Sequence, residues 1–247
     1  MSTNHAGTRV YLSISAVGYM TLDSSLLAAR APCSPNTVTV DATSNADLSL
    51  CLRKINPNPE VMVSHQPPLP EIHHSFYPIP NRPYGIASGE RNGTTTCPWA
   101  KGQIIDLHDE GNPQILTQYM VPENLPENCF IGGPGDPRLQ REFSTHQLLI
   151  FENMFFQAWY SAGLRAWNTE NVYQPYETGV FVPKPEGQVI ERFRNSSDVW
   201  IWPFPILHNG LIYTVDENSG LYILKYTGEG AAELPKRGTY MSNINFH

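Results

Sequence analysis

The sequence predicts an all-β fold, a β-propeller-like array of about four blades, on three observations. The first is an internal echo. The runs Val10–Asp23, Phe155–Asn168 and Ile212–Lys225 read in register: a short β-rich stretch, a turn ending on Gly18, Gly163 or Gly220, then a second alternating stretch. A fourth copy, Gly102–Leu107, keeps the second half. Alternating runs on either side of a glycine-ended turn are a hairpin signature, and a hairpin recurring along one chain marks an array of similar sheets. The second observation is composition. In 247 residues, 40% are hydrophobic and 11% aromatic, enough for a large core, yet 22 prolines and 18 glycines cut the chain into short segments. The third is a shared exit. Asp106 to Pro113 and Asn168 to Pro175 each place a proline seven residues after an Asp or Asn, ahead of a strand ending in Val-Pro. An Asx residue followed by proline sets a tight turn by a side-chain hydrogen bond and a fixed φ.

In chain order, the first hairpin ends near Asp23. Residues 24–59, rich in Ser, Thr, Asn and Ala, read as an insertion between repeat units, with one strand at Thr37–Val40, all within a single domain 1–247. Residues 57–70 are proline-studded and extended. Ile72–Ile79 and Pro83–Ser88 pair around Pro80-Asn81-Arg82, and a loop over 89–101 leads to the Gly102 copy. Two further loops, 132–141 and 188–197, lead to strands at Thr145–Phe151 and Asp198–Phe204. The tail after Tyr226 either frays or donates a last strand. An open stack exposes unpaired sheet edges. Closure is therefore expected from the tail, from a homo-oligomer or from sequence ahead of residue 1.

Charge excludes one class of partner. A net charge of −7 with no Lys/Arg cluster longer than two gives no basic footprint for nucleic acid. No run approaches the roughly 20 apolar residues of a membrane span. Cys33, Cys51, Cys97 and Cys129 form no Cys-x-x-Cys pair, which argues against a zinc ribbon or thioredoxin-type site. They allow two disulfides in three pairings, the local ones being Cys33–Cys51 and Cys97–Cys129, or four free thiols. Asn92 and Asn195 open glycosylation sequons. The start is polar, with no signal peptide, and Val10 already begins a repeat, so the N-terminus reads as a trimmed boundary.

Gly102-Gln-Ile-Ile-Asp-Leu-His-Asp-Glu-Gly-Asn-Pro113 resembles the unit of LVIVD-repeat proteins: a Gly, an aliphatic run ending in Asp, and an Asx-Pro turn. The stretches from Phe155 to Trp167 and from Gly210 to Leu224 are similar to that family too. The aliphatic motif is degenerate in three of the four copies. The resemblance implies a β-propeller, and a secreted or surface-displayed protein whose leader is absent from this chain. It implies no reaction, and a cytoplasmic location stays open.

The chemistry-bearing candidates are few. His74 opens the strand before Pro80, His146 the strand before Glu152, and Asp198 holds the matching place in the next unit. First strands line the axis of a propeller, so these three converge in the array. Imidazole and carboxylate suit a divalent transition metal, with Glu90 and Asp216 as outer partners orienting the imidazoles. The competing account is ordinary: a histidine opening a buried strand serves as a hydrogen-bonded core residue. Adjacent His73 and His74 face opposite ways, and only one can join the site. Trp159, Tyr160 and Trp200 line a pocket or, more simply, wedge the sheets apart. His108 and His208 sit in turns and face solvent. Asp23, Asp106 and Asn168 recur at one structural place, which argues for turn capping over catalysis. There is no Gly-x-Ser-x-Gly elbow or phosphate loop. The reading preferred from sequence is a binding or scaffolding module. The alternative is a metalloenzyme with its ion in the central channel.

Overall fold

The structure, a computed structural model, describes residues 2–14, 18–25, 53–54, 72–90, 100–125, 127–128, 141–185, 187, 189–190, 197–241 and 244–246. It is a four-bladed β-propeller of antiparallel sheets. The first sheet runs β1 (Ser2–Thr3), β2 (Arg9–Ile14), β3 (Gly18–Asp23), β4 (Arg53–Lys54). The second runs β5 (Ile72–Pro78), β6 (Tyr84–Glu90), β7 (Gly102–Asp106), β8 (Gln114–Tyr119). The third has β9 (Leu148–Ile150), β10 (Met154–Ala158), β11 (Leu164–Asn168) and β12 (Tyr176–Phe181). The fourth departs from this pattern. Its β13 (Ile206–His208), β14 (Leu211–Asp216) and β15 (Gly220–Leu224) are joined on the β13 side by the tail strands β16 (Thr239–Met241) and β17 (Ile244–Phe246). The tail thus donates two strands. Among the described residues no helix is long and apolar enough to cross a membrane.

The sequence echo is the hairpin between the second and third strands of each sheet. Gly18, Gly102 and Gly220 are the first residues of β3, β7 and β15, and Gly163 immediately precedes β11. The glycine is required for different reasons. Gly163 and Gly220 adopt φ of +81° and +89°, which L side chains avoid. Gly102 instead lies against the Tyr119 ring, where a Cβ would overlap it. The repeated Asx residues cap turns as expected. Asp23, Asp106 and Asn168 accept the amides of Ser25, His108 and Glu170, each two residues on, at 2.8–2.9 Å.

Each middle sheet is packed on both faces. In the third sheet Phe155 and Trp167 turn toward the second, joining Tyr77, Ile86, Ile104, Tyr119 and Leu148. Phe156, Leu164 and Ala166 turn the other way, onto Leu207 and Ile212 of the fourth. Tyr11 and Tyr19 of the first meet Phe76, Ala87 and Ile105 of the second. All five residues of β10 are buried, as a strand with no solvent face demands.

Some elements differ from expectation. The strand expected over Thr145–Phe151 is confined to β9, because His146 pairs by its amide with Ala158 outside regular ladder geometry. Asp198–Phe204 forms no strand. It contributes one bridge, Ile201 to Tyr160, and the fourth sheet starts at Ile206. Pro203 and Pro205 remove two backbone donors there, which disfavours a ladder. Arg53 and Lys54, inside the 24–59 segment, pair with Asp23 and Leu22. The four cysteines, both sequons and Thr37–Val40 lie outside the described residues.

The two kinds of glycine should respond differently to alanine. Gly102→Ala forces the Tyr119 ring to move and should cost about 1–3 kcal/mol in urea unfolding. Gly220→Ala meets open space and should cost only its backbone strain, about 1–2 kcal/mol. A Gly102→Ala protein as stable as the wild type would contradict the packing described.

Candidate metal centre

Two backbone irregularities build the site. The first is a β-bulge in β5. His73 pairs with Gly89 and Ser75 with Ser88, leaving His74 as the extra residue. A bulge re-aims side chains. His73 packs edge-on to Tyr19 of the first sheet, centroids 4.7 Å apart, while His74 turns to the third sheet and lies 4.0 Å from the His146 ring. The second irregularity is at the tip of the β10–β11 hairpin. Tyr160 has φ +46°, a left-handed conformation that costs a bulky residue about 1–3 kcal/mol. It is held there by two backbone hydrogen bonds with Ile201, at 2.8 and 3.2 Å, and by the Gly163 amide on its carbonyl. The result sends its phenol to the Glu90 carboxylate, to which it donates a hydrogen bond.

Glu90, the last residue of β6, is the centre of the group. His146 Nε2 lies 3.4 Å from Oε1 and His74 Nε2 lies 3.9 Å from Oε2. Among the described residues these three form a cluster of metal-ligating type, with one donor atom from each within 4.8 Å of the others. Tetrahedral coordination at about 2.0–2.1 Å places donors about 3.4 Å apart, so the spacing suits a small transition-metal ion after slight contraction.

The protonation pattern points the same way. His146 Nδ1 is 2.6 Å from the Trp202 carbonyl, which can only accept, so Nδ1 carries the proton. Nε2 is then the ring nitrogen left facing the Glu90 carboxylate, and a proton or a cation lies between the two. A carbonyl that fixes the tautomer from behind is the usual arrangement for a metal-binding imidazole. The His146 carbonyl is itself held, accepting from Ser88 Oγ at 3.3 Å and Gln157 Nε2 at 3.4 Å. His74 Nδ1 is buried with no hydrogen-bond partner among the described residues.

Burial alone would raise the Glu90 carboxyl. Hydrogen bonds from His146 and Tyr160, with the nearby imidazole charge, outweigh it and hold the group at about 2. Burial is the main cause that lowers His74, to about 4, followed by the neighbouring His146.

The remaining candidates lie elsewhere. Asp198 is outside the cluster. Its carboxylate is 3.7 Å from Arg141, because the segment it opens is not a first strand. The Asp216 oxygens accept the amides of Trp200, Asn218 and Ser219, a turn cap and not a partner of the imidazoles. Trp159 is fully buried in the core beside Tyr119 and Trp167. Trp200 packs on Tyr160 at 4.6 Å. Two clefts among the described residues, about 330 and 400 Å³, are lined by other residues: Phe156, Phe181 and Leu224 in one, Tyr11, Tyr77 and Glu110 in the other. His108 and His208 are exposed in turns.

The sequence reading gives Glu90 as an outer partner of the imidazoles; the structure brings its carboxylate into one cluster with His74 and His146, and adds two contacts not foreseen, Tyr160 to Glu90 and the Trp202 carbonyl to His146. Position within the β6 strand could have suggested Glu90, since it ends opposite the bulged segment. Nothing in the sequence signals the Tyr160 φ. No family model matches the chain, and no curated protein matches it.

In the metal-free protein both titrating groups make the fold acid-sensitive. The lowered His74 favours the neutral ring, so its contribution is complete above pH 6.5 and disappears toward about 4. The lowered Glu90 contributes fully above 4.5 and loses that toward about 2. Urea midpoints followed downward from neutral pH should fall in two stages, and His74→Phe should flatten the first. A midpoint that stays level between pH 6.5 and 4.5 would count against this.

Proposed function

We propose that the chain is a propeller-type metalloprotein binding a divalent transition-metal ion through His74, Glu90 and His146. The observation that carries it is that one donor atom from each of the three lies within 4.8 Å of the others, with His146 Nδ1 tied to the Trp202 carbonyl so that Nε2 faces Glu90. Two imidazoles and one carboxylate suit zinc, iron, copper or nickel, and leave coordination positions open. An ion there supplies Lewis-acid chemistry to water or a small ligand. The protein's part is to orient the donors and to limit water. Side-chain exposures of 19%, 12% and 6% for His74, Glu90 and His146 leave a narrow approach.

The reading as a binding or scaffolding module has its own support. Val180, Leu221 and Ile223, on the outer strands β12 and β15, are each more than half exposed, an apolar surface suited to a protein partner. The LVIVD resemblance, resting on Gly102–Pro113, favours a secreted or surface-displayed protein of this kind.

Elemental analysis of purified, tag-free protein separates the two. On the metal reading, close to one transition-metal ion per chain is expected, and His146→Ala should lose it with its circular dichroism unchanged. Wild-type protein that holds no ion after incubation with zinc, copper, nickel and iron rejects the metal site and leaves the binding module.

A further inference from the structure

We infer that Tyr160 is a fourth protein ligand, supplying a phenolate oxygen that directs the site toward ferric iron. The inference rests on the metal reading above. It begins from the hydrogen bond of the Tyr160 phenol to Glu90 Oε1, the same oxygen that lies 3.4 Å from His146 Nε2. The phenol oxygen therefore stands beside the carboxylate oxygen that also faces His146. Its ring is edge-on to His146, centroids 5.3 Å apart and planes at 84°, and is braced from behind by Trp200. Tyr160 is 3% exposed, so its oxygen is directed inward.

The backbone makes the placement specific. A tyrosine at φ +46° persists only where surroundings over-determine it. Here the Ile201 bridge fixes residue 160 itself, and the next amide, Ser161, is tied to the Glu142 carbonyl at 2.9 Å. The strained residue is the one that reaches the carboxylate.

Two imidazoles, a carboxylate and a phenolate form a donor set with two anionic oxygens. Such a set suits a hard, highly charged ion better than a soft one. Four protein donors would close a tetrahedral zinc site, whereas iron, at five or six coordinates, keeps a position for water or a small ligand. Ligation is a proton exchange without redox change. The phenol O–H bond breaks, the proton leaves to solvent, and the oxygen lone pair forms the bond to the ion. Glu90 then loses its donor from Tyr160 and faces the same ion.

The test is visible absorption and resonance Raman spectroscopy of the full chain loaded with ferric iron supplied as its nitrilotriacetate complex. Phenolate bound to ferric iron gives a broad visible charge-transfer band and enhanced tyrosinate ring modes. The wild type should show both at a stoichiometry near one. Tyr160→Phe should still bind iron through the other three residues, more weakly, and be colourless. The Raman modes are read on the wild type alone, so the result stands even if Tyr160→Phe does not fold. Iron bound without the band, or a band that survives Tyr160→Phe, overturns the Tyr160 assignment and leaves the three-ligand site. No iron and no zinc bound by the wild type removes both.

Discussion

Packing on both faces is the constraint from which the rest of the molecule follows. The second and third sheets each lie between two neighbours, so their strands have no side for solvent. β10 is buried at every position. Side chains of consecutive residues, Phe155 and Phe156, serve two different cores. A polar group in such a sheet must find its partners inside or cost several kcal/mol. One group of interior polar residues connects, while the Gln103 side chain and the Trp167 indole N–H have no hydrogen-bond partner among the described residues. Ser75 meets Ser88, Ser88 and Gln157 reach the His146 carbonyl, and Tyr119 donates to Gln157 at 2.9 Å. This network supports His146 from the core side, while Trp202 supports it from the other.

Against that regular background, the site is made of exceptions. A regular β5 would give His74 the face of Phe76, toward the first sheet. The bulge sends it to the third sheet instead. A regular hairpin tip at Tyr160 would carry glycine or asparagine, as Asn81 and Asn209 do at φ +59° and +49°. Tyrosine there is maintained by hydrogen bonds that the rest of the fold supplies. Local departures of this kind concentrate where geometry serves chemistry, because only a rigid surround can hold them. The lowered His74 comes from burial, whereas the Glu90 carboxyl is depressed in spite of burial, by partners at fixed distances.

How much was legible can be judged from particular residues. The hairpin echo placed β2–β3, β10–β11 and β14–β15 correctly, because side-chain alternation and a glycine-ended turn are local properties. The Asx caps at Asp23, Asp106 and Asn168 were legible for the same reason. Asp198 was not. Its equivalence to His74 and His146 assumed a first strand that Pro203 and Pro205 disfavour. Alternation said only that one of His73 and His74 could face the site, and the orientation of His74 comes from a bulge that alternation does not foresee.

The sequence by itself determined that this protein is a repeating array of antiparallel hairpins and that its large aromatic residues serve as wedges between sheets, and it named His74 and His146 as candidates for a site. Those conclusions need only period, turn chemistry and composition, which are written in neighbouring residues. Tertiary structure alone decided that His74, Glu90 and His146 meet, that the Tyr160 phenol reaches Glu90, and that Asp198 and Asp216 lie elsewhere. These residues are brought together by sheets folding against one another, and their orientations depend on a bulge, a strained φ and a carbonyl more than fifty residues away. No local pattern encodes those three features.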